Sequence, residues 1–288
     1  MAGAGFPGAG YMPLSMRAGA PGGFAPAYDA FADSIVHAYE PARRVLSSYT
    51  GNLVRLRRAS DNAEADFGYL PNGDLDVAAI AAWAGGASYV VTVYDQAPAG
   101  DNVTQATAAN QPLYVANARN GHAGMNFDGL NDYLQGAFTN GGALAQPGGV
   151  FAVAQLAAAN VNDHNPYTII DGDDAGNRWV LYKTNAVPDT WNIYAGVGLP
   201  NGAADSSWNI WAALFNGAAS QFWINSVSRV IGNPGAFGLD GLTIGARFAL
   251  ATLFWPDNIV SVVICSPAFS DAQRVAMQNA MNSYWNVF

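Results

Sequence analysis

Apolar and polar residues alternate along much of this chain with the period of two that half-buried strands require. In Leu53–Arg57, for example, apolar residues alternate with arginines. From Gly148 onward strand-like runs follow one another, each bounded by Gly, Asn, Pro or Asp. The predicted strands there are Val150–Leu156, Tyr167–Ile170, Arg178–Tyr182, Trp191–Tyr194, Trp208–Phe215, Gln221–Ile224, Leu242–Ala246 and Ile259–Cys265. Many short strands at this spacing predict an all-β sandwich.

Three segments break this pattern and indicate helices. Asp76–Trp83 has an acidic start, helix formers and a Gly-Gly stop, and Asp271–Tyr284 follows a capping box made by Ser270 and Gln273. Tyr28–Leu46 carries apolar residues at helical spacing before Pro41, which predicts a short helix or turn. Both the 76–83 and 271–284 helices are short additions to a β domain.

Residues 1–26 differ from the rest because Gly, Ala and Pro dominate and no apolar face repeats. We expect this segment to be an extended assembly arm, followed by one domain over residues 27–288. Large apolar residues scattered along the arm are its predicted anchors: Phe6, Tyr11, Met12, Leu14 and Phe24. The arm could order against a neighbouring molecule or fold back on its own domain.

Charge and composition exclude several function classes. The net charge of −9 disfavours nucleic acid and an anionic membrane surface as partners. No run reaches the roughly 18 apolar residues of a membrane span, and we find no signal peptide. The single cysteine, Cys265, lies in an apolar run and is predicted to be a buried, inert thiol. Five of the 12 basic residues fall in 43–58, where nearby carboxylates are expected to pair with them.

Two motifs carry a resemblance to known families. The run Y-T-G…V-R-L-R-R-A-S-D-N-A-E-A-D, with V-T-V-Y-D-Q further on, resembles the start of the α-L-arabinofuranosidase B sandwich domain. Phe127–Leu134 is similar to the F-D-G-x-x-D-Y-L signature of laminin-G-like and concanavalin A-like jelly rolls. The resemblance implies a concanavalin A-like jelly-roll β-sandwich with short helices and a C-terminal helix. Related domains occur in phage virion proteins, which makes a virion location our expectation.

The resemblance implies the fold without the activity. Glycoside hydrolysis usually needs two carboxylates across the scissile bond. Aligned with the family, Trp179 stands where the nucleophilic Glu is expected and Arg247 where the acid is expected. Neither side chain can replace a carboxylate in this chemistry, so we predict a protein that is not an enzyme.

Residue types indicate two candidate binding sites. Sugars stack on aromatic rings while amides take their hydroxyls, and this suggests a glycan platform at Trp179, Trp191, Trp208 and Asn192, unless these aromatics belong to the core. Asp171, Asp173 and Asp174 crowd one loop that could hold calcium or could be a solvated turn. No other cofactor is expected.

Three functions follow in order of preference. The first is a non-enzymatic virion structural protein (capsid decoration, neck or tail fibre) that assembles with other virion proteins and with copies of itself. The second is a carbohydrate-binding adhesin for cell-surface glycans on the same fold, and the third is an arabinofuranosidase-like hydrolase.

Overall fold

The computed structural model describes residues 25–250 and 252–288. The first nine strands are β1 (Ile35–Tyr39), β2 (Val54–Arg58), β3 (Glu64–Phe67), β4 (Ser88–Val93), β5 (Val103–Thr104), β6 (Leu113–Arg119), β7 (His122–Asn126), β8 (Leu134–Ala137) and β9 (Gly148–Gln155). The next nine are β10 (Tyr167–Asp171), β11 (Val180–Lys183), β12 (Thr190–Tyr194), β13 (Gly198–Ala203), β14 (Trp208–Phe215), β15 (Ser220–Ile224), β16 (Val227–Gly232), β17 (Gly241–Ile244) and β18 (Asn258–Cys265). The helices are α1 (Val77–Ala84) and α2 (Asp271–Trp285).

The strands pair antiparallel into one continuous ladder that folds into two layers. The first layer has the order β1-β18-β9-β14-β15-β16. The second has the order β3-β2-β4-β5-β8-β17-β10-β11-β12-β13. Strands β6 and β7 pair with each other and connect β4 to β18. The predicted all-β sandwich is therefore confirmed.

Strand β9 is buried on both faces, which explains its unbroken apolar run. Val150 and Ala152 face the core between the layers, whereas Phe151 and Val153 face a second apolar cluster. Helix α2 covers that second cluster with Met277 and other side chains. Central strands of a two-layer fold normally bury one face, so α2 serves here as a third layer.

The helices predicted over 76–83 and 271–284 are confirmed, and a side-chain cap lies at the start of each. The Asp76 carboxylate accepts a hydrogen bond from the Ala79 N–H at the start of α1, and Ser270 with Gln273 forms the capping box of α2. No helix among the described residues is long and apolar enough to cross a membrane.

The prediction of a short helix or turn within Tyr28–Leu46 is confirmed for its first part and wrong for the residues that follow. Asp29–Ser34 forms a 3-10 turn, but Ile35–Tyr39 is strand β1. Pairing with β18 decides the outcome, since Ala38 lies opposite Val263 in that ladder. Both partners are buried in the cluster beneath α2, and an apolar pair across two strands stabilises extended structure.

The arginines of 43–58 pair largely as predicted. Arg55 forms a two-bond ion pair with Asp66, and Arg58 forms one with Asp61. Arg57 differs from both because it donates to neutral side chains and a backbone carbonyl. The predicted arm anchors, from Phe6 to Phe24, lie outside the described residues.

Candidate functional site

A cleft of about 200 Å³ opens on the second layer of the sandwich, beside β10, β11 and β12. We call it the arginine cleft. Its lining residues are Thr168, Arg178, Val180, Tyr182, Tyr194, Arg247 and Leu253. The cleft therefore brings two guanidinium groups together with two phenols.

Strand alternation determines which residues reach the cleft. Val180 and Tyr182 face it, while Trp179 and Leu181 point into the core between the layers. Tyr194 lies directly opposite Val180 in the β11–β12 ladder. Successive side chains of a strand point to opposite faces, so the cleft receives residues 178, 180 and 182.

The opposite wall is the segment that follows β17. Gly245 turns the chain there with a φ of +84°, and a Cβ at this position would lie 2.3 Å from the Phe127 ring. Its N–H donates to the Ile169 carbonyl and its carbonyl accepts from the Trp255 N–H. These bonds anchor both ends of the segment that carries Arg247.

A buried carboxylate orients Arg178. Arg178 Nη2 lies 2.6 Å from Asp171 Oδ2, and Nε lies 2.8 Å from Oδ1. Asp171 also accepts the Phe248 N–H at 3.1 Å. The guanidinium stacks over the rings of Tyr194 and Phe248, at 5.1 and 4.4 Å from their centroids. Arg178 is therefore rigid and neutralised.

Arg247 carries the uncompensated charge of the cleft. It is half-buried over the Phe248 ring, 5.2 Å from the centroid, and forms no ion pair with any described residue. Nearby, burial first and then the Tyr194 hydroxyl raise the pKa of Tyr182. This phenol stays protonated and can donate a hydrogen bond. The cleft thus presents one net positive charge and hydroxyl donors.

The two positions aligned with the family's carboxylates have different surroundings. Trp179 is fully buried, stacks on Phe215 at 5.1 Å and donates its indole N–H to the Phe237 carbonyl. Arg247 lines the cleft. A one-residue shift of the alignment would select Arg178 or Val180, so it brings no carboxylate to this position.

The predicted glycan platform is part of the interior. Trp179, Trp191 and Trp208 are 0%, 1% and 8% exposed, and Asn192 is 3% exposed. Asn192 donates to the Thr190 side chain at 3.1 Å. Stacking requires an accessible ring face, which these tryptophans do not offer in the present structure.

The three carboxylates at the end of β10 and in the loop that follows it have different partners. Asp171 holds Arg178, and Asp174 accepts the N–H groups of Gly176 and Asn177. Asp173 lies near Asp240, and burial and that neighbour raise its pKa. Within residues 25–250 and 252–288 no group of three His, Cys, Asp or Glu side chains could hold a metal ion. Calcium binding stays a prediction.

Sequence reasoning missed Arg178, Tyr182 and Tyr194 as members of the site. The predicted strand over residues 178–182 would have grouped 178 and 182 on one face, because side chains alternate between the two faces of a strand. The approach of the Arg247 segment depends on the β10–β17 pairing, which no local pattern indicates.

The fold defines a class, an arabinofuranosidase-like β-sandwich. The chain belongs to the family of the α-L-arabinofuranosidase B catalytic domain, whose sequence model matches residues 27–176. No match is found among curated proteins.

Solved structures agree on the fold. An arabinofuranosidase complexed with arabinofuranosyl-α-1,2-xylobiose matches with a TM-score of 0.71 and 17% identity, covering 90% of this chain and 64% of that one. The receptor-binding domain of botulinum neurotoxin D matches with a TM-score of 0.52 and 14% identity, covering 66% and 50%. A serotype D ligand-binding domain in complex with N-acetylneuraminic acid matches with a TM-score of 0.52 and 13% identity, covering 82% and 54%. The chain spans less than two thirds of the length of these relatives.

Proposed function

We propose that this protein binds an acidic saccharide in the arginine cleft and does not hydrolyse it. One observation carries the proposal: the cleft is lined by two arginines and two tyrosines, and none of its lining residues is a carboxylate. A sugar carboxylate would pair with Arg247, which, unlike Arg178 in the same cleft, has no ion-pair partner among the described residues. The Tyr182 hydroxyl would bond to the sugar hydroxyls.

The family relationship supports carbohydrate as the ligand class, while the cleft's chemistry argues against hydrolysis. Glycosidases hold two carboxyl groups roughly 5–9.5 Å apart across the scissile bond. Most of the cleft, from Arg178 to Leu253, lies beyond residues 27–176 that match the family. We therefore propose binding without the catalytic activity that the family description names.

The structural neighbours are consistent with either a neutral or an acidic sugar. One was solved with an arabinofuranosyl-xylobiose and another with N-acetylneuraminic acid, whose carboxylate is the type of group that Arg247 suits. Arginine binds carboxylates with paired, directional hydrogen bonds. The charge of the cleft therefore favours the acidic sugar.

Calorimetric titration tests the proposal directly. The probes are oligosaccharides that end in sialate, glucuronate or galacturonate, each with its neutral counterpart. We expect an acidic probe to bind, and Arg247→Gln to lower its affinity by about tenfold or more. Arg55→Gln, which alters an exposed arginine on β2, is the matched control and should bind as the parent does.

Two results would overturn it. The first is equal affinity for acidic and neutral probes. The second is release of nitrophenol from 4-nitrophenyl α-L-arabinofuranoside at a rate that a carboxylate substitution abolishes.

The virion-assembly hypothesis stays a prediction, because its arm lies almost wholly outside the described residues and no comparison bears on it. Light scattering on a sizing column, with and without residues 1–26, tests it. An arm-dependent oligomer would favour assembly, and identical monomers would remove self-association through the arm.

A further inference from the structure

A second and larger cavity, of about 580 Å³, lies at the other end of the second layer. We call it the polar cavity. Its lining residues are Arg57, Ala59, Tyr89, Ala108, Ala109, Gln111, Leu113, Asn126, Asp128 and Asp132. We propose that the polar cavity is a separate carbohydrate site that takes consecutive neutral sugar residues of an oligosaccharide.

Strand register gives the cavity its elongated floor. Arg57 on β2 lies opposite Tyr89 on β4, Tyr89 lies opposite Leu113 on β6, and Leu113 lies opposite Asn126 on β7. These four residues form a row across four strands. At about 4.8 Å between neighbouring strands the row is about 14 Å long, which suits a chain of sugars better than a single small ligand.

One end of the row is a rigid donor. Arg57 is 9% exposed, and its guanidinium donates to the Gln111 side chain at 2.7 Å, the Asn62 side chain at 2.8 Å and the Ala108 carbonyl at 3.1 Å. All three acceptors are neutral, unlike the carboxylates that hold its neighbours on β2. A guanidinium has five N–H groups, so two remain for a ligand.

The other end is a pair of acceptors on the loop that follows β7. Asp128 Oδ1 accepts the backbone N–H groups of residues 130–132, and Asp132 Oδ2 accepts the Asp128 N–H at 3.0 Å. The second oxygen of each carboxylate forms no hydrogen bond with a described residue. The loop bonds therefore fix the direction of two available acceptors.

The cavity's charge selects a neutral ligand. Burial, followed by the nearby Asp128, raises the pKa of Asp132 to about 7, so near neutral pH the two carboxyl groups together carry between one and two negative charges against the single positive charge of Arg57, and an anionic ligand is disfavoured. Sugar hydroxyls both donate to carboxylates and accept from guanidinium. Arg57 lies 4.8 Å from the centroid of the half-exposed Tyr89 ring, on one face of it. The ring supplies an apolar surface between the guanidinium and the two carboxyl groups.

The arrangement differs from the arginine cleft in each of these respects. The cleft has an uncompensated cation and no lining carboxylate, whereas the polar cavity mixes donors and acceptors of both charges. The two sites share no lining residue. Variants at one site therefore test that site alone.

The experiment titrates the full chain with xylohexaose, arabinohexaose and cellohexaose by calorimetry, at millimolar sugar. Ala109→Trp fills the cavity from its exposed rim without altering either polar wall, and Tyr89→Leu removes the aromatic surface. We expect at least one hexaose to bind, and each variant to weaken it about tenfold or more.

Matched controls separate occlusion from general damage. Ala106→Trp places the same bulk on an exposed alanine outside the cavity lining, and Arg247→Gln alters the other site; both should bind the hexaose as the parent does. The inference fails if no hexaose binds, if binding survives Ala109→Trp, or if Asp132→Asn abolishes a measurable hydrolysis of the bound hexaose. Loss of acidic-sugar binding in Arg247→Gln, with hexaose binding intact, would leave the two proposals independently supported.

Discussion

Asp171 clamps Arg178 with both carboxylate oxygens at 2.6 and 2.8 Å, and this buried pair connects the sandwich interior to the floor of the arginine cleft. The Asp171 side chain is completely buried. Removing one partner of a buried ion pair leaves the other charge without compensation. The pair therefore couples the stability of the fold to the shape of the cleft.

Asp171→Asn tests this coupling. We expect it to lower the free energy of unfolding by about 3–5 kcal/mol and to weaken acidic-sugar binding, because Arg178 loses its anchor. Urea denaturation and calorimetry measure the two effects. Arg178→Gln should produce a similar loss, and the double variant should lose much less than the sum. Additive losses would show that the two groups act independently.

A second buried cation, Lys183, predicts how the protein responds to acid. Its ammonium bonds to Asp163 at 2.8 Å and to Asp189. Burial, the largest influence, raises the pKa of both carboxyls, but hydrogen bonds from Lys183, together with those from Tyr167 to Asp163 and from His164 to Asp189, outweigh it and lower both. Because the lowered pKa values lie below those of the unfolded chain, this contribution is present above about pH 4 and is lost as the pH falls below it.

Lys183→Met should reverse the dependence of stability on pH, so that the variant becomes more stable as the pH is lowered. At pH 7 it leaves two carboxylates without their cation and should cost about 3–5 kcal/mol. Below pH 4 the carboxyls take up protons, so the difference from the parent should shrink. Thermal unfolding from pH 3 to pH 7 measures it. A difference that is constant over this range would contradict the assignment.

Asp132 predicts the opposite pH dependence. Its pKa in the folded protein is about 7, above the ordinary value of 3.8. Between these values the unfolded chain loses the proton while the folded chain keeps it, so stability falls as the pH rises from about 4 to about 7.

Asp132→Asn removes this fall in stability with rising pH and retains an acceptor for the Asp128 N–H. Relative to the parent, its stability should rise by up to roughly 1.4 kcal/mol for each pH unit crossed. Urea denaturation at pH 4.5, 5.5 and 6.5 tests the trend. Asp61→Asn, at an exposed carboxylate whose pKa is lowered to about 2, is the control and should show no such rise.

Cys265 should be chemically silent in the native protein. The thiol is buried in β18, and burial raises its pKa to about 12. A thiolate is the reactive form, so a thiol reagent should label the folded chain only at the rate of unfolding. Full labelling in guanidinium is the positive control. Rapid stoichiometric labelling of the folded protein would contradict the burial of this residue.

The sequence predicted those elements whose signals are local. The capping box of Ser270 and Gln273 marks the start of α2, and the long apolar run of β14 needs no partner to be recognised. The segment that forms β1 was predicted to be part of a short helix or turn because Phe31, Ile35 and Val36 fit helical spacing, and pairing with β18 overrides that local pattern.

Burial of the aromatics was harder to predict than their position in strands. Trp179 and Trp191 lie in predicted strands with polar neighbours, which fits both a sugar platform and a core. The decisive fact is the layer opposite: Trp191 meets the ring of Trp211 on β14, at 5.1 Å. Which residues line the cleft depends in the same way on long-range strand pairing, which the sequence does not show. Arg247 was singled out only because of the family alignment, and Arg178 was missed.

Strand β18 lies between β9 and β1 and also contacts β7, although it is the last strand along the described chain. A chain synthesised from its N-terminus cannot complete the first layer until about residue 265 has emerged. Folds dominated by such distant pairings acquire structure in milliseconds to seconds rather than microseconds. The exposed edges of β1 and β9 must meanwhile remain unpaired. We therefore expect slow refolding, with yields that fall as protein concentration rises.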